Sequence, residues 1–463
     1  MQYLYPEVGS LDRRCYEQFL LSEEILMEHA ADGMADFIAE EFEPGSSVCI
    51  VCGPGNNGAD GIVLARLLHE SFDVTLMLPY GAKSELCRLQ LERAEAIEVR
   101  SVDTPQPCDV LVDALFGSGF TRTFDQTAAV LLRRLNGMGG FKLACDLPSG
   151  LHPDGTLEPD TFRADVTLTM GALKRCLYSD AAKDVVGRIG VVDLGIAREV
   201  YETGSDWKLL DEEELMLPFR GREDAHKGSY GHLGVLCGEK EGAAVIAGSA
   251  ALRFGTGLVT LLSNEQLQLP YELMQSHLLP PTVTAIALGM GLGQEFAHHE
   301  LERLLDHALP LVVDADLFAH PMLSALLERP DVVLTPHPKE FTLLLRRCGI
   351  AEIDVATLQR DRFGYVEAFA RAYPNTVLML KGANVIIAAE GSFYVNPHGC
   401  NVLAKGGSGD VLAGLVGALL AQGYTPRDAA INASLAHTAA AAAFEGNNYA
   451  LTPFDLIDRL AEL

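Results

Sequence analysis

The chain has 463 residues, which at about one domain per 150 residues means roughly three domains or two large ones. Hydrophobic residues make up 48% and charged residues 21%, a balance that suits sizeable cores and excludes a disordered chain. The net charge of −28 offers no electrostatic footprint for nucleic acid or an anionic membrane, so any anion must be gripped locally by backbone N–H groups, a few cations or a metal.

The N-terminal segment has no basic region followed by an apolar run, so it does not read as a signal peptide. No apolar stretch reads as a membrane span, and a soluble cytoplasmic protein is expected. A helix is predicted over residues 22–40, with Ile25, Leu26, Met34, Phe37 and Ile38 as its apolar stripe. Short apolar runs then alternate with helical stretches, at residues 48–52, 74–78, 110–113, 143–146, 166–170 and 189–194. This alternation predicts a parallel sheet covered on both faces. Ten cysteines are too sparse for a disulfide scaffold. Cys49 and Cys52 form a C-x-x-C inside a predicted strand, where residues three apart point to opposite faces. They are read as core residues, not as a redox or zinc pair.

Gly53-Pro54-Gly55-Asn56-Asn57-Gly58 satisfies G-x-G-x-x-G after a strand, with a helix predicted over 59–70. It departs from the hydride-transfer version of that loop. Asp73, twenty residues on, precedes its strand instead of ending it. Two asparagines and Asp60 supply amides and a carboxylate, which suit a cation or sugar hydroxyls better than a pyrophosphate. Asp113, followed by Gly117-Ser118-Gly119, and Asp146, followed by Leu147-Pro148-Ser149-Gly150, end later strands. Ligands of open α/β sheets bind at those ends. One strand-end Asp is usually a cap, but glycine-bearing polar loops after several strands together describe a site.

Residues 195–222 break the rhythm, with the only tryptophan, Trp207, and the cluster Asp211-Glu212-Glu213-Glu214. This is the predicted junction between domains at 1–207 and 208–463. After His226-Lys227-Gly228-Ser229-Tyr230-Gly231, strands are predicted at 233–237, 258–262, 284–288, 311–314, 332–335 and 377–380. An antiparallel pair follows at 384–388 and 393–395. The long Ala- and Leu-rich helices predicted at 409–422 and 427–445 are apolar nearly all round, which argues for burial. In Lys405-Gly406-Gly407-Ser408-Gly409-Asp410, glycines at a helix start free N–H groups for an anion. Asp410, at the loop–helix boundary, can accept a hydroxyl proton beside a phosphoryl group. No Walker A sequence is present. The loops Gly289–Gly293, Asp314-Ala315-Asp316, Thr335–Glu340 and Lys381–Val385 follow four other strands and are expected to share one cleft with it.

The blocks Leu26-Met27-Glu28, Gly53–Gly61, Val112–Gly119 and Asp146–Gly150, in that order, resemble the NAD(P)H-hydrate epimerase domain. The resemblance implies that Asn56, Asn57, Gly58, Ala59 and Asp60 hold the hydrated nicotinamide nucleotide together with Gly117, Ser118, Gly119, Phe120, Thr121, Arg122 and Thr123. It further implies that Asn57, Asp113 and Ser149 coordinate potassium (K+), and that Asp146 binds the hydrated ring as acid/base. The second half, through residues 226–231 and its five loops, resembles the ADP-dependent NAD(P)H-hydrate dehydratase domain, a ribokinase-like fold. By that resemblance Lys381, Gly382, Ala383, Asn384, Val385 and Gly409 bind the adenine nucleotide. Ala243, Gly291, His337 and Asp410 contact the hydrated cofactor. Asp410 is the base that activates the carbon-6 hydroxyl toward the β-phosphate of ADP, with magnesium (Mg2+) on the phosphates. Leu317 and Phe318 depart from the family pattern at the pocket wall.

The expected fold is thus a Rossmann-like parallel α/β domain followed by a ribokinase-like α/β domain. The expected activity is interconversion of the R and S hydrates of NADH and NADPH, and ADP-dependent dehydration of the S form. The family also implies a homo-oligomer. Two other readings stay open: a sugar or vitamin kinase with an attached nucleotide-binding domain, and a first half that only binds ligand or assembles subunits.

Overall fold

The computed structural model describes residues 1–293 and 298–463. The chain divides into two compact units, Gln2–Ser205 and Asp206–Leu463. In the first, β1 (Ser47–Cys52), β2 (Asp73–Met77), β3 (Val110–Ala114), β4 (Phe141–Cys145), β5 (Val166–Met170) and β6 (Arg188–Val192) form one sheet in the order β2-β1-β3-β4-β5-β6. Every pairing is parallel. The strands are nearly continuous apolar runs because helices cover both faces. Cys49 and Cys52 fall in separate core clusters, one on each face, and all ten cysteines are free.

The sheet register aligns the loops. Cys52 pairs with Ala114 and Asp113 with Ala144, so the segments after β1, β3 and β4 leave the same edge together. The chain runs from β1 to β2 on one side and to β3 on the other. The point of reversal lies between β1 and β3, where open α/β sheets take ligands. Asp73 opens β2, opposite Ser47, and so sits at the far edge from those loops.

Two expectations about helices are corrected. The helix predicted from residue 59 spans Asn56–Leu68, because Gly55 adopts extended backbone and caps it three residues earlier. The helix Glu23–Glu41 buries Leu26, Met27, Ala30, Ala31, Met34 and Ile38. Ile25 is 40% exposed and Phe37 only partly buried, because the buried row at 27, 30, 34 and 38 follows the helical period that Ile25 misses.

In the second unit β7 (Trp207–Leu209), β8 (His232–Leu236), β9 (Leu258–Leu262), β10 (Met274–Ser276), β11 (Ala285–Leu288), β12 (Leu311–Val313), β13 (Val332–Leu334), β14 (Val377–Leu380), β15 (Val385–Ala389) and β16 (Ser392–Asn396) run β7-β16-β15-β14-β13-β12-β11-β8-β9-β10 across one sheet. β15 is antiparallel to both neighbours, as the turn at Glu390-Gly391 predicts; the other pairings are parallel. Trp207, from the predicted junction, belongs to this sheet and stacks on Phe393 with ring centroids 4.5 Å apart. The chain reverses between β8 and β11, again a ligand-binding position. The helices Ser408–Ala421 and Pro426–Ala442 are almost wholly buried, as their all-round apolarity requires. Leu317 and Phe318 are completely buried, which places them in the core and not on a pocket wall. Among the described residues no helix is long and apolar enough to cross a membrane.

Candidate active sites

A cavity of about 590 Å³ opens at the reversal point of the first unit. Asn56, Asn57 and Asp60 line it from the first turns of the helix after β1. Gly117, Ser118, Gly119, Phe120, Thr121 and Arg122 line it from the loop after β3, and Asp146 from the end of β4. Gly58 and Ala59 are buried beneath the wall, and neither they nor Thr123 line the cavity. Leu26 and Met27 contribute to the wall. Glu28, from the same block, instead pairs with Arg66 and Arg93.

Asp146 has φ +69°, the left-handed region that a side chain normally avoids. Its carboxylate is held on every side. Oδ1 accepts from Lys174 Nζ at 2.6 Å and from the Met170 N–H at 3.3 Å; Oδ2 accepts from the Ser118 N–H at 3.1 Å. Burial alone would raise its pKa, but the Lys174 ammonium and the N–H donors outweigh burial and hold the carboxyl below its ordinary value. Asp60 goes the other way. Burial first, then the charges of Asp146, Asp12 and Glu23, push it well above the carboxylate range. Gly117 lets the loop approach, since a Cβ there would stand 2.8 Å from Asn57 Oδ1 and 3.1 Å from Asp146 Oδ2.

Asp113 and Ser149 are brought together under this loop. Asp113 accepts the Ser149 hydroxyl at 2.7 Å and its N–H at 2.8 Å, and the Leu115 N–H at 3.2 Å. Burial still pushes Asp113 up to about 6. The Asn57 Nδ2 is buried without a hydrogen-bond partner. Amide, carboxylate and hydroxyl oxygens are ligands of the kind a hard cation takes, and among the described residues Asp113 is bonded by Ser149 and the Leu115 N–H and by no basic side chain. The residues therefore fit such an ion.

The loops of the second unit also converge. Lys381 Nζ, just after β14, is 2.7 Å from Asp314 Oδ1. Gly409 faces this pair, since a Cβ there would be 3.4 Å from Lys381 Nζ and 3.9 Å from Asp314 Oδ2. Asp410 is the third residue of Ser408–Ala421, inside the helix's first turn and not at its boundary as expected. Burial and then Asp314 push its pKa up to about 6, against the pull of Lys381 and Lys240. His437 supports the turn from below, with Nε2 3.0 Å from the Ser408 carbonyl. Burial holds that imidazole at about 4, hence neutral.

His337 caps the helix Pro338–Arg347, its Nδ1 accepting N–H bonds from Lys339 at 3.1 Å and Glu340 at 3.3 Å. Burial and then Lys381 lower its pKa, while burial raises Glu340 to about 7. Gly291, φ +63°, brings the loop after β11 against the start of Glu241–Arg253; a Cβ would be 3.0 Å from Ala243 Cβ. In that loop the Gly293 N–H donates to Asp316 at 2.9 Å. Of the predicted nucleotide loop, Gly382 and Ala383 are exposed, while Asn384 and Val385 are buried at the start of β15.

Sequence reasoning missed Asp12, Tyr16, Glu23 and Lys174 in the first cavity, and Lys240 and His437 in the second site. Lys174 carried one signal: it stands four residues past the end of β5, among the strand-end loops that build the site.

Residues 23–176 match the family described as YjeF-related protein N-terminus, and residues 233–462 the family described as NAD(P)H-hydrate dehydratase. The bifunctional NAD(P)H-hydrate repair enzyme Nnr of Helicobacter pylori is 42% identical over 474 aligned residues, covering 100% of both chains. The enzyme of the same description from Coxiella burnetii is 35% identical, covering 100% of this chain and 99% of its own. The crystal structure of an ADP/ATP-dependent NAD(P)H-hydrate dehydratase from Bacillus subtilis, with ATP and Mg2+, is 31% identical. It covers 55% of this chain and 96% of that one, with a TM-score of 0.47.

Proposed function

The chain belongs to the bifunctional NAD(P)H-hydrate repair enzymes, and from that premise we propose that the first unit interconverts the R and S hydrates around Asp146 while the second dehydrates the S form around Asp410. The observation that carries this division is that each unit sets aspartate against lysine among its strand-end loops: Asp146 meets Lys174 at 2.6 Å in the first, and in the second the Gly409–Asp410 turn faces the Lys381–Asp314 pair.

In the first reaction the hydrated ring bears a hydroxyl on carbon 6, beside the ring nitrogen. The nitrogen lone pair expels that oxygen once it has gained a proton, and water leaves. Water returns on the opposite face and gives up a proton, so atoms balance and only the configuration changes. Positive charge develops on the ring in between, and the fixed Asp146 carboxylate is placed to meet it. Asn57, Asp113 and Ser149 would hold K+, which would supply the charge that the buried Asp113 lacks.

In the second reaction Asp410 accepts the proton of the carbon-6 hydroxyl as that oxygen bonds to the β-phosphorus of ADP and AMP departs. The nitrogen lone pair then expels the oxygen as phosphate, and loss of a carbon-5 proton restores the reduced nicotinamide. A carboxyl near 6 is suited to taking a proton close to neutral pH. The Gly406–Gly409 turn, at the N-terminus of Ser408–Ala421, offers N–H groups to the phosphates, with Lys381 beside it. Among the described residues no three His, Cys, Asp or Glu side chains cluster as a metal site. This fits a Mg2+ carried largely by the nucleotide's phosphates and water.

The test mixes the protein with both hydrates of NADH, ADP and Mg2+, and follows reduced-nicotinamide absorbance and AMP together. Full conversion faster than spontaneous epimerisation, with one AMP per NADH, is the expected result. Arrest at the S fraction would remove the epimerase assignment. A phosphorylated product without NADH would overturn the dehydratase assignment in favour of a kinase.

A further inference from the structure

The epimerase reading leaves one buried cation without a task. Lys174 is 2% exposed and lines the first cavity. Its Nζ is 2.6 Å from Asp146 Oδ1, 2.9 Å from Thr169 Oγ1 and 3.1 Å from the Met170 carbonyl. Those acceptors match the three N–H groups of an ammonium, so the direction of the side chain is fixed. A buried ion pair that loses one partner leaves the other charge uncompensated.

Apart from Arg122, exposed on the loop after β3, the other charged residues of the lining are acidic. Asp12, Glu23 and Asp60 border the cavity together with Asp146, and burial and neighbouring carboxyl charge push Asp12 and Asp60 up. Asp12 is bonded to the Tyr201 hydroxyl at 2.7 Å, and Glu23 to the Asn56 amide at 2.6 Å. The Lys174 ion pair goes to Asp146. It occupies Oδ1, leaving Oδ2 on the side of the Gly117–Ser118 loop, where a Gly117 Cβ would come within 3.1 Å.

We propose that Lys174 is the positioning residue of the epimerase site, selecting Asp146 among the surrounding carboxyls as the one held charged and immobile toward the substrate ring. The proposal rests on the epimerase reading of the first unit. Chemically, the carboxylate must be present before the hydroxyl leaves, because a charge that has to form or turn during the step stabilises nothing. Lys174 keeps it in place through the whole exchange of water and takes no proton itself. The other titratable or charged groups around Asp146 are Asp12, Glu23, Asp60, Tyr201, Cys145 and Cys176, none of which can replace an ammonium, and Arg122, which is exposed on the loop after β3.

The test uses the full chain; dehydratase activity on pure S hydrate reports the second unit, and urea unfolding of each variant checks that the first unit remains folded. R-to-S conversion is measured over a pH series for wild type, Lys174→Met, Lys174→Arg, Thr169→Val, Asp146→Asn and the double variant Lys174→Met/Asp146→Asn. Lys174→Met is expected to lower the epimerisation kcat about 100-fold, the lower end for loss of a group that preorganises transition-state charge. Its acid limb should move to higher pH, because an unpaired Asp146 holds its proton longer. Lys174→Arg keeps the limb in place and recovers part of the rate. Thr169→Val, a milder change, moves the limb the same way by less. In the Asp146→Asn background, Lys174→Met changes nothing further, since the two act as one unit. An unmoved acid limb in both Lys174→Met and Thr169→Val, or losses that multiply in the double variant, would overturn the proposal. A wild-type chain without epimerisation would overturn the epimerase reading itself, and this proposal with it.

Discussion

In the first unit Lys174 meets one of the three aspartates that line the cavity, 2.6 Å from Asp146; in the second Lys381 meets Asp314 at 2.7 Å and Asp410 stands beside that pair. The same two residue types therefore do opposite things. Asp146 has the ammonium to itself and stays below the ordinary carboxylate range. Asp410 is pushed up to about 6 by burial first and then by Asp314, whose ion pair already occupies Lys381. A carboxylate of the first kind is a fixed charge, suited to a step that creates a cation. One of the second kind can exchange a proton near neutral pH. The lesson is that the partner left unpaired, not the mere presence of Asp and Lys, assigns the role.

The largest expected effect separates the two sites. Asp410→Asn should lower dehydration of the S hydrate about 1000-fold, within the range for removing a general base, and leave R/S interconversion unchanged. AMP release and chromatographic separation of the epimers read the two activities from one sample. A parallel loss of both would break the comparison.

Lys381→Met comes next. It removes the partner of the buried Asp314, which should destabilise the second unit by about 3 kcal/mol in urea unfolding. It also removes the cation that restrains Asp410, so the acid limb of dehydration should move upward in pH.

In the wild-type chain, dehydration should fall as pH drops through about 6, because Asp410 must be unprotonated to accept the hydroxyl proton. Epimerisation should persist to lower pH, because Asp146 remains charged there. Coincident acid limbs for the two activities would contradict the assigned roles.

Gly117→Ala sharpens the comparison on one side only. The added Cβ would crowd Asn57 Oδ1 at 2.8 Å and Asp146 Oδ2 at 3.1 Å. A roughly tenfold fall in epimerisation, equal to about 1.4 kcal/mol of barrier, is expected with dehydration untouched.

Much of this was legible in the chain itself. Apolar runs broken by helical stretches announce parallel strands, because a strand covered on both faces has no polar side. Glycine-bearing loops with Asp or Asn at strand ends announce sites, because turn chemistry is local. The family blocks add the nucleotide chemistry. Element boundaries were less legible: Gly55 and Gly407 start their helices earlier than the apolar pattern does, so Asn57 and Asp410 lie in first turns and not in loops.

What only the tertiary structure decided is which charges meet. Lys174 is a single lysine beyond a strand, with no motif around it, and it matters because parallel pairing of β4 and β5 brings its loop beneath Asp146. Asp410 reads as a base from its turn, yet its pKa depends on Asp314 and Lys381, far away in sequence. Periodicity and turns act over a few residues of one segment and are written there. Charge pairing and burial act across the sheet, and exist only once register has set the strand ends side by side.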